Sequence, residues 1–94
     1  MEIAAANTIP IVLGNAPRGF CGTIQRLEIQ EGGSSLSAVE LESQLIEMGF
    51  VEGARVEILH EGLFGRDPIA VRVDAATIAL RRLEASAILV EPLG

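Results

Sequence analysis

From residue 55 onward, apolar side chains recur at every second position. Val56 and Ile58 alternate with Arg55 and Glu57, and Ile69, Val71 and Val73 alternate with Ala70, Arg72 and Asp74. Period two puts one face of each strand against a core and the other in water. Gly22 to Ile29 follows the same rule through Ile24, Leu27 and Ile29, with one slip of register at Gln25-Arg26 that predicts a bulge. Ile9 to Leu13 is a short apolar run broken by Pro10, which predicts an edge segment. Thr77 to Leu80 and Ile88 to Val90 complete the strands.

Between residues 37 and 48 the period lengthens. Ala38, Leu41, Leu45 and Met48 fall at offsets 0, 3, 7 and 10, one stripe of an α-helix, while Glu40, Gln44 and Glu47 take the wet side. Ser37 followed three residues later by Glu40 spells a capping box, which satisfies two orphan amides at the helix start. Gly49 can take the left-handed conformation that ends a helix, and Phe50 can fold back on the last turn. A second helical turn is predicted over residues 82–87.

The connections are short. Gly14 to Gly19 is turn chemistry, Glu31 to Ser35 is a flexible Gly-Ser linker, Glu61 to Asp67 links two strands through Gly62 and Gly65, and Asp74-Ala75-Ala76 makes a tight turn. Five or six antiparallel strands in 94 residues, with one inserted helix, predict a small closed or nearly closed β-barrel. Closure would hide the sheet edges that invite aggregation. Residues 9–94 read as one domain, preceded by a loose arm over residues 1–8.

Composition narrows the function. Hydrophobic residues make up 49% of the chain but aromatics only 3%, so aliphatic side chains must fill the core. So small a core has little room for a substrate-sized cavity. All seven basic residues are arginine and the net charge is −6. Residues 28–61 carry eight glutamates against Arg55 alone. Phosphate binding needs an accumulated positive field, so nucleic acid is a poor partner. The acidic run reads as a solvated surface or as a face that meets a basic patch on another protein. One cysteine, Cys21, cannot make an internal disulfide. The N-terminus lacks the basic and apolar regions of a signal peptide, and no apolar run approaches the roughly 20 residues that span a bilayer. A soluble cytoplasmic chain is the expectation.

Reactive groups are sparse. One histidine (His60) and Cys21 do not make a metal ligand set. His60, flanked by Glu57 and Glu61, reads as a polar residue at a strand end, and Cys21 as a small core residue. No Ser, Cys or Thr has a visible base, and residues 14–19 lack the ending of a phosphate-binding loop. No enzyme, resident metal or cofactor is expected. Leu63-Phe64 stands apart, because large apolar residues sit between glycines where turns are normally polar. They read either as a contact surface or as a mini-core folded under the hairpin. Arg66 can reach a partner's carboxylate or carbonyl. Arg81 and Arg82 can do likewise, or pair with Glu84 or Glu91.

Three ordered motifs carry a family resemblance: Leu45-Ile46-Glu47-Met48-Gly49-Phe50-Val51-Glu52-Gly53-Ala54-Arg55-Val56, then Gly65-Arg66-Asp67-Pro68-Ile69-Ala70-Val71-Arg72-Val73, then Ile78-Ala79-Leu80-Arg81-Arg82-Leu83-Glu84-Ala85. Over Leu45 to Glu91 the chain resembles the FeoA family, the small cytosolic component of bacterial ferrous iron uptake. Residues 9–29 match more loosely, through Gly19, Gly22 and Ile24. The resemblance implies an SH3-like β-barrel with a helical insertion. It also implies a non-enzymatic accessory that contacts the FeoB permease, a membrane protein with a cytosolic GTP-binding domain; Leu63, Phe64 and Arg66 are the candidate partner-binding residues. The alternative is a transition-metal or small-ligand sensing module, since similar barrels form the C-terminal domain of metal-dependent repressors. The family is commonly labelled for transition-metal binding, but no residue here carries that role over. Self-association through the barrel edge or the apolar hairpin is open. Asp67-Pro68 is expected to fix a turn, with Asp67 bonding nearby amides. Asp74-Ala75-Ala76-Thr77 departs from the family in lacking the glycine often seen there, so that turn is expected to differ locally.

Overall fold

The computed structural model describes residues 10–29 and 37–93. The arm expected over residues 1–8 and the linker over 31–35 lie outside them. Six strands form one antiparallel sheet: β1 (Ile11–Val12), β2 (Cys21–Leu27), β3 (Arg55–Phe64), β4 (Asp67–Val73), β5 (Ala76–Leu80) and β6 (Ile88–Pro92). Helix α1 (Ala38–Glu47) joins β2 to β3, and the single turn α2 (Arg82–Ala85) joins β5 to β6. The spatial order is β1-β6-β2-β3-β4-β5.

Helix α1 forms where its signals predict. The Ser37 hydroxyl accepts from the Glu40 amide at 3.2 Å, and the Glu40 carboxylate accepts from the Ser37 amide at 3.2 Å. Leu41 and Leu45 are buried, and Glu40, Gln44 and Glu47 are exposed. At the other end Gly49 takes φ 104°. The Gly49 amide bonds the Ile46 carbonyl and the Phe50 amide the Leu45 carbonyl, both at 3.0 Å, which is a Schellman ending. Phe50 is thereby turned inward and is fully buried. Because the capping box is exposed, Ser37→Ala should cost only about 1 kcal/mol, read as a small shift of the urea midpoint with an unchanged slope.

The bulge expected at Gln25-Arg26 is present: Ile24 pairs with Val90 and Arg26 with Leu89, which leaves Gln25 as the extra residue. The expected Glu61–Asp67 link is corrected. β3 continues to Phe64 and β4 begins at Asp67, so the loop is only Gly65-Arg66. His60 accordingly sits within β3 and not at its end, and it is exposed. Cys21 is half-buried in β2, not a core residue.

A second correction concerns closure. β1 and β5 are the two edges of the sheet and do not pair, so the backbone ladder is not closed into a barrel. β1 is only two residues long and turns at once into a 3-10 turn over Leu13–Asn15, which leaves no length to reach β5. A side chain spans this seam instead. Arg82 donates from Nε to the Arg66 carbonyl at 2.8 Å, and from Nη1 to the carbonyls of Ala16 at 2.8 Å and Gly14 at 3.1 Å. Its Nη2 meets Glu61 Oε2 at 3.3 Å, with the two side chains 19% and 21% exposed. The pairing of Arg82 with Glu84 or Glu91 is therefore not what forms. Glu84 accepts from the Arg81 amide, and Glu91 accepts from Gln25 Nε2.

Candidate partner-binding surface

The candidate surface is the tip of the β3–β4 hairpin, and its geometry follows from backbone sterics. Ile58 pairs with Val71 but His60 with Ala70, and Glu61 pairs with Ile69 but Phe64 with Asp67. Each step inserts one extra residue into β3, so the strand is bulged twice. Gly62 belongs to the second bulge: a Cβ there would lie 2.1 Å from the Asp67 carbonyl oxygen, so no larger residue fits without a backbone shift. Gly65 and Arg66 both take positive φ, 69° and 59°. That sign pattern belongs to the tight two-residue turn whose twist matches a right-twisted hairpin.

The sheet's buried face ends at Ile69. Pro68 is exposed and Asp67 half-buried, so no core lies beneath the last turn of the hairpin. Leu63 is 94% exposed and Phe64 88% exposed. The mini-core reading of this pair is thus not adopted, because the hairpin projects past the packed interior. Arg66 is exposed beside them, and its backbone carbonyl is held by Arg82.

Two neighbours anchor the tip. Asp67 does not bond the amides of its own turn. Its Oδ1 accepts from the Arg82 amide at 2.9 Å and caps the start of α2. Glu61 Oε2 accepts from the Arg18 amide at 3.1 Å as well as from Arg82. Pro68 and Arg81 line one shallow depression together with Asp67, which brings Arg81 to the flank of the tip. Arg18 had no signal in the sequence, being 43 residues from Glu61, and only the fold brings it there.

Among the described residues, no three His, Cys, Asp or Glu side chains come together in a way that would hold a metal ion. No described helix is long and apolar enough to cross a membrane.

Residues 11–92 match the FeoA domain family. The chain belongs to the FeoA family. Among solved structures it is similar to Stenotrophomonas maltophilia FeoA complexed with zinc, at 25% identity and a TM-score of 0.70, covering 86% of this chain and 89% of that one. That protein is described as a procaryotic SH3 domain protein and put forward as a bacterial ferrous iron transport activating factor. Iron(II) transport protein A from Clostridium thermocellum is 32% identical with a TM-score of 0.73, over 88% of this chain and 46% of that one. A manganese-dependent transcriptional repressor has a TM-score of 0.72 at 24% identity, over 93% of this chain and 44% of the repressor, which shows a shared fold. No curated protein matches the chain.

The FeoA motifs now have physical explanations. Met48-Gly49-Phe50 is the Schellman end that seats α1 on the sheet. Asp67 and Arg82, from two separate motifs, join at the seam. The turn that lacks the family's glycine is made all the same: Val73 pairs with Ala76, and Asp74 takes the left-handed φ of 52° that a glycine would have taken. Aspartate is among the side chains that tolerate this conformation.

Proposed function

We propose that this FeoA-family chain is a non-enzymatic accessory of bacterial ferrous iron uptake that docks on the cytosolic part of a FeoB-type permease through the tip Gly62–Arg66. The observation that carries the reading is the exposure of Leu63 and Phe64 in succession at the end of β3, beside the two-residue turn Gly65-Arg66. Leu63 and Phe64 are the most exposed of the described large hydrophobic side chains, and burial in a partner recovers about 1.5–3 kcal/mol for each. The turn is also built for presentation. Both ends of the hairpin are tied to the body through Arg82, Asp67 and Glu61, so little ordering is needed on binding.

Calorimetry against the soluble GTP-binding domain of the permease tests this. Leu63→Asp combined with Phe64→Asp should weaken binding at least about 100-fold, the range expected when two anchor side chains are lost. Stability should be unchanged, since neither side chain touches the core. Equal binding by the folded double variant would remove the tip from the interface.

A further inference from the structure

Resting on that reading, we infer that the partner surface which receives the tip is an apolar pocket rimmed by carboxylates. The sequence suggests the opposite, because the chain is acidic overall. The fold separates the charges. β3 is ten residues long, which sets its two ends about 30 Å apart at roughly 3.3 Å per residue. At its start lie Glu52 and the end of α1, which the segment 48–54 joins to β3. Glu40, Glu42 and Glu47 of α1 are all exposed, and α1 carries no basic residue. Toward the far end of β3 hydrogen bonds join the backbones of Arg18, Arg66 and Arg81 and the side chain of Arg82 to one network with Glu61, Asp67 and Glu84.

The balance of side chains matters more than that count. Each of the three carboxylates is half-buried and accepts a hydrogen bond inside the protein, although only Glu61 has a cation as partner. Glu61 binds Arg82 and the Arg18 amide, Asp67 binds the Arg82 amide, and Glu84 binds the Arg81 amide. Arg82 is consumed by the seam. The guanidinium groups of Arg18, Arg66 and Arg81 are exposed, and none makes a hydrogen bond or ion pair among the described residues. Leu63 and Phe64 therefore lie at an end of the molecule where three exposed guanidinium groups outnumber two half-buried carboxylates, Asp67 and Glu84, which gives a local net of +1 on a chain whose total is −6. The complement of an apolar knob at a locally cationic end is an apolar pocket with an anionic rim. The acidic α1 end, some 30 Å away, is repelled by that rim and turns the tip toward it during approach.

Arg18, Arg66 and Arg81 join the fold through backbone atoms alone, so their side chains can be exchanged without unfolding the tip. Binding of the soluble GTP-binding domain is measured at 50 mM and 300 mM salt, for the wild type, Arg66→Glu with Arg81→Glu, and Leu63→Asp with Phe64→Asp. The wild type should bind about tenfold more weakly at the higher salt, since screening at that strength acts within a few ångströms. The charge-reversed variant should bind at least about tenfold more weakly at low salt, mainly through a slower association rate. Salt-independent binding that the arginine reversal leaves intact, but Leu63→Asp with Phe64→Asp abolishes, would overturn the anionic rim and leave the docking reading standing. Absence of wild-type binding would overturn both. Co-sedimentation of the wild type with phosphatidylglycerol vesicles, lost in Leu63→Asp with Phe64→Asp, would assign the tip to a lipid surface and likewise overturn the inference.

Discussion

Phe50→Ala should lower the stability of this protein by about 3–5 kcal/mol, the usual cost of emptying an aromatic site in a core. For a domain of this length, total stability is on the order of 5–14 kcal/mol, so the variant should sit near the edge of folding. Phe50 is the largest of the fully buried side chains. Only three phenylalanines occur in the chain and there is no tryptophan or tyrosine, so few rings are available to fill the void. The side chain also couples two structures. Its amide closes the end of α1 on the Leu45 carbonyl while its ring packs under the sheet. Urea denaturation followed by far-ultraviolet circular dichroism measures the effect. Phe50→Leu, which keeps most of the volume, should lose less than half as much. A loss below about 1 kcal/mol for the alanine variant would mean that α1 is not seated through Phe50.

Arg82→Ala should cost about 2–4 kcal/mol. The cost comes from what is left behind. The carbonyls of Gly14, Ala16 and Arg66 lose their donor, and the carboxylate of Glu61 is left with the Arg18 amide alone in a site that is four-fifths buried. The melting temperature should fall by roughly 8–32 °C, given the 4–8 °C per kcal/mol typical of domains this small. Arg82→Lys should recover only a minor part. One ammonium on a flexible stem cannot serve acceptors spread over three segments as a planar fork does. Removing Glu61 on top of Arg82→Ala should then cost much less than removing it from the wild type, because the two side chains share one network. Full recovery by lysine would show that the charge alone holds the seam.

Some of the architecture was legible in particular residues. The stripe through Leu41 and Leu45, the Ser37–Glu40 box, the Gly49 stop and the bulge at Gln25 are all local patterns, and each forms where it was expected. Local patterns are readable because the groups that satisfy one another lie within a few residues. The errors fall where a distant partner decides. Gly62 and Gly65 look alike in sequence, yet Gly65 makes the turn while Gly62 lies inside a strand, under the carbonyl of Asp67. Arg82 looked like a surface arginine with Glu84 beside it. It bonds instead with groups 66, 68, 16 and 21 residues away. Asp67 looked like a turn former and caps a helix 15 residues on. The candidate site was legible in part. Leu63, Phe64 and Arg66 stood out as misplaced apolar and basic residues in a glycine-bounded segment, but nothing in the chain placed Arg18 near them.

By itself the sequence determined the element types, the insertion of α1, the residues that fill the core and the family, because periodicity and caps act through neighbours along the chain. Only the tertiary structure decided that the ladder stays open between β1 and β5, that Arg82 spans that seam, and that Leu63 and Phe64 project past the packed interior. Those outcomes depend on contacts between segments far apart in sequence.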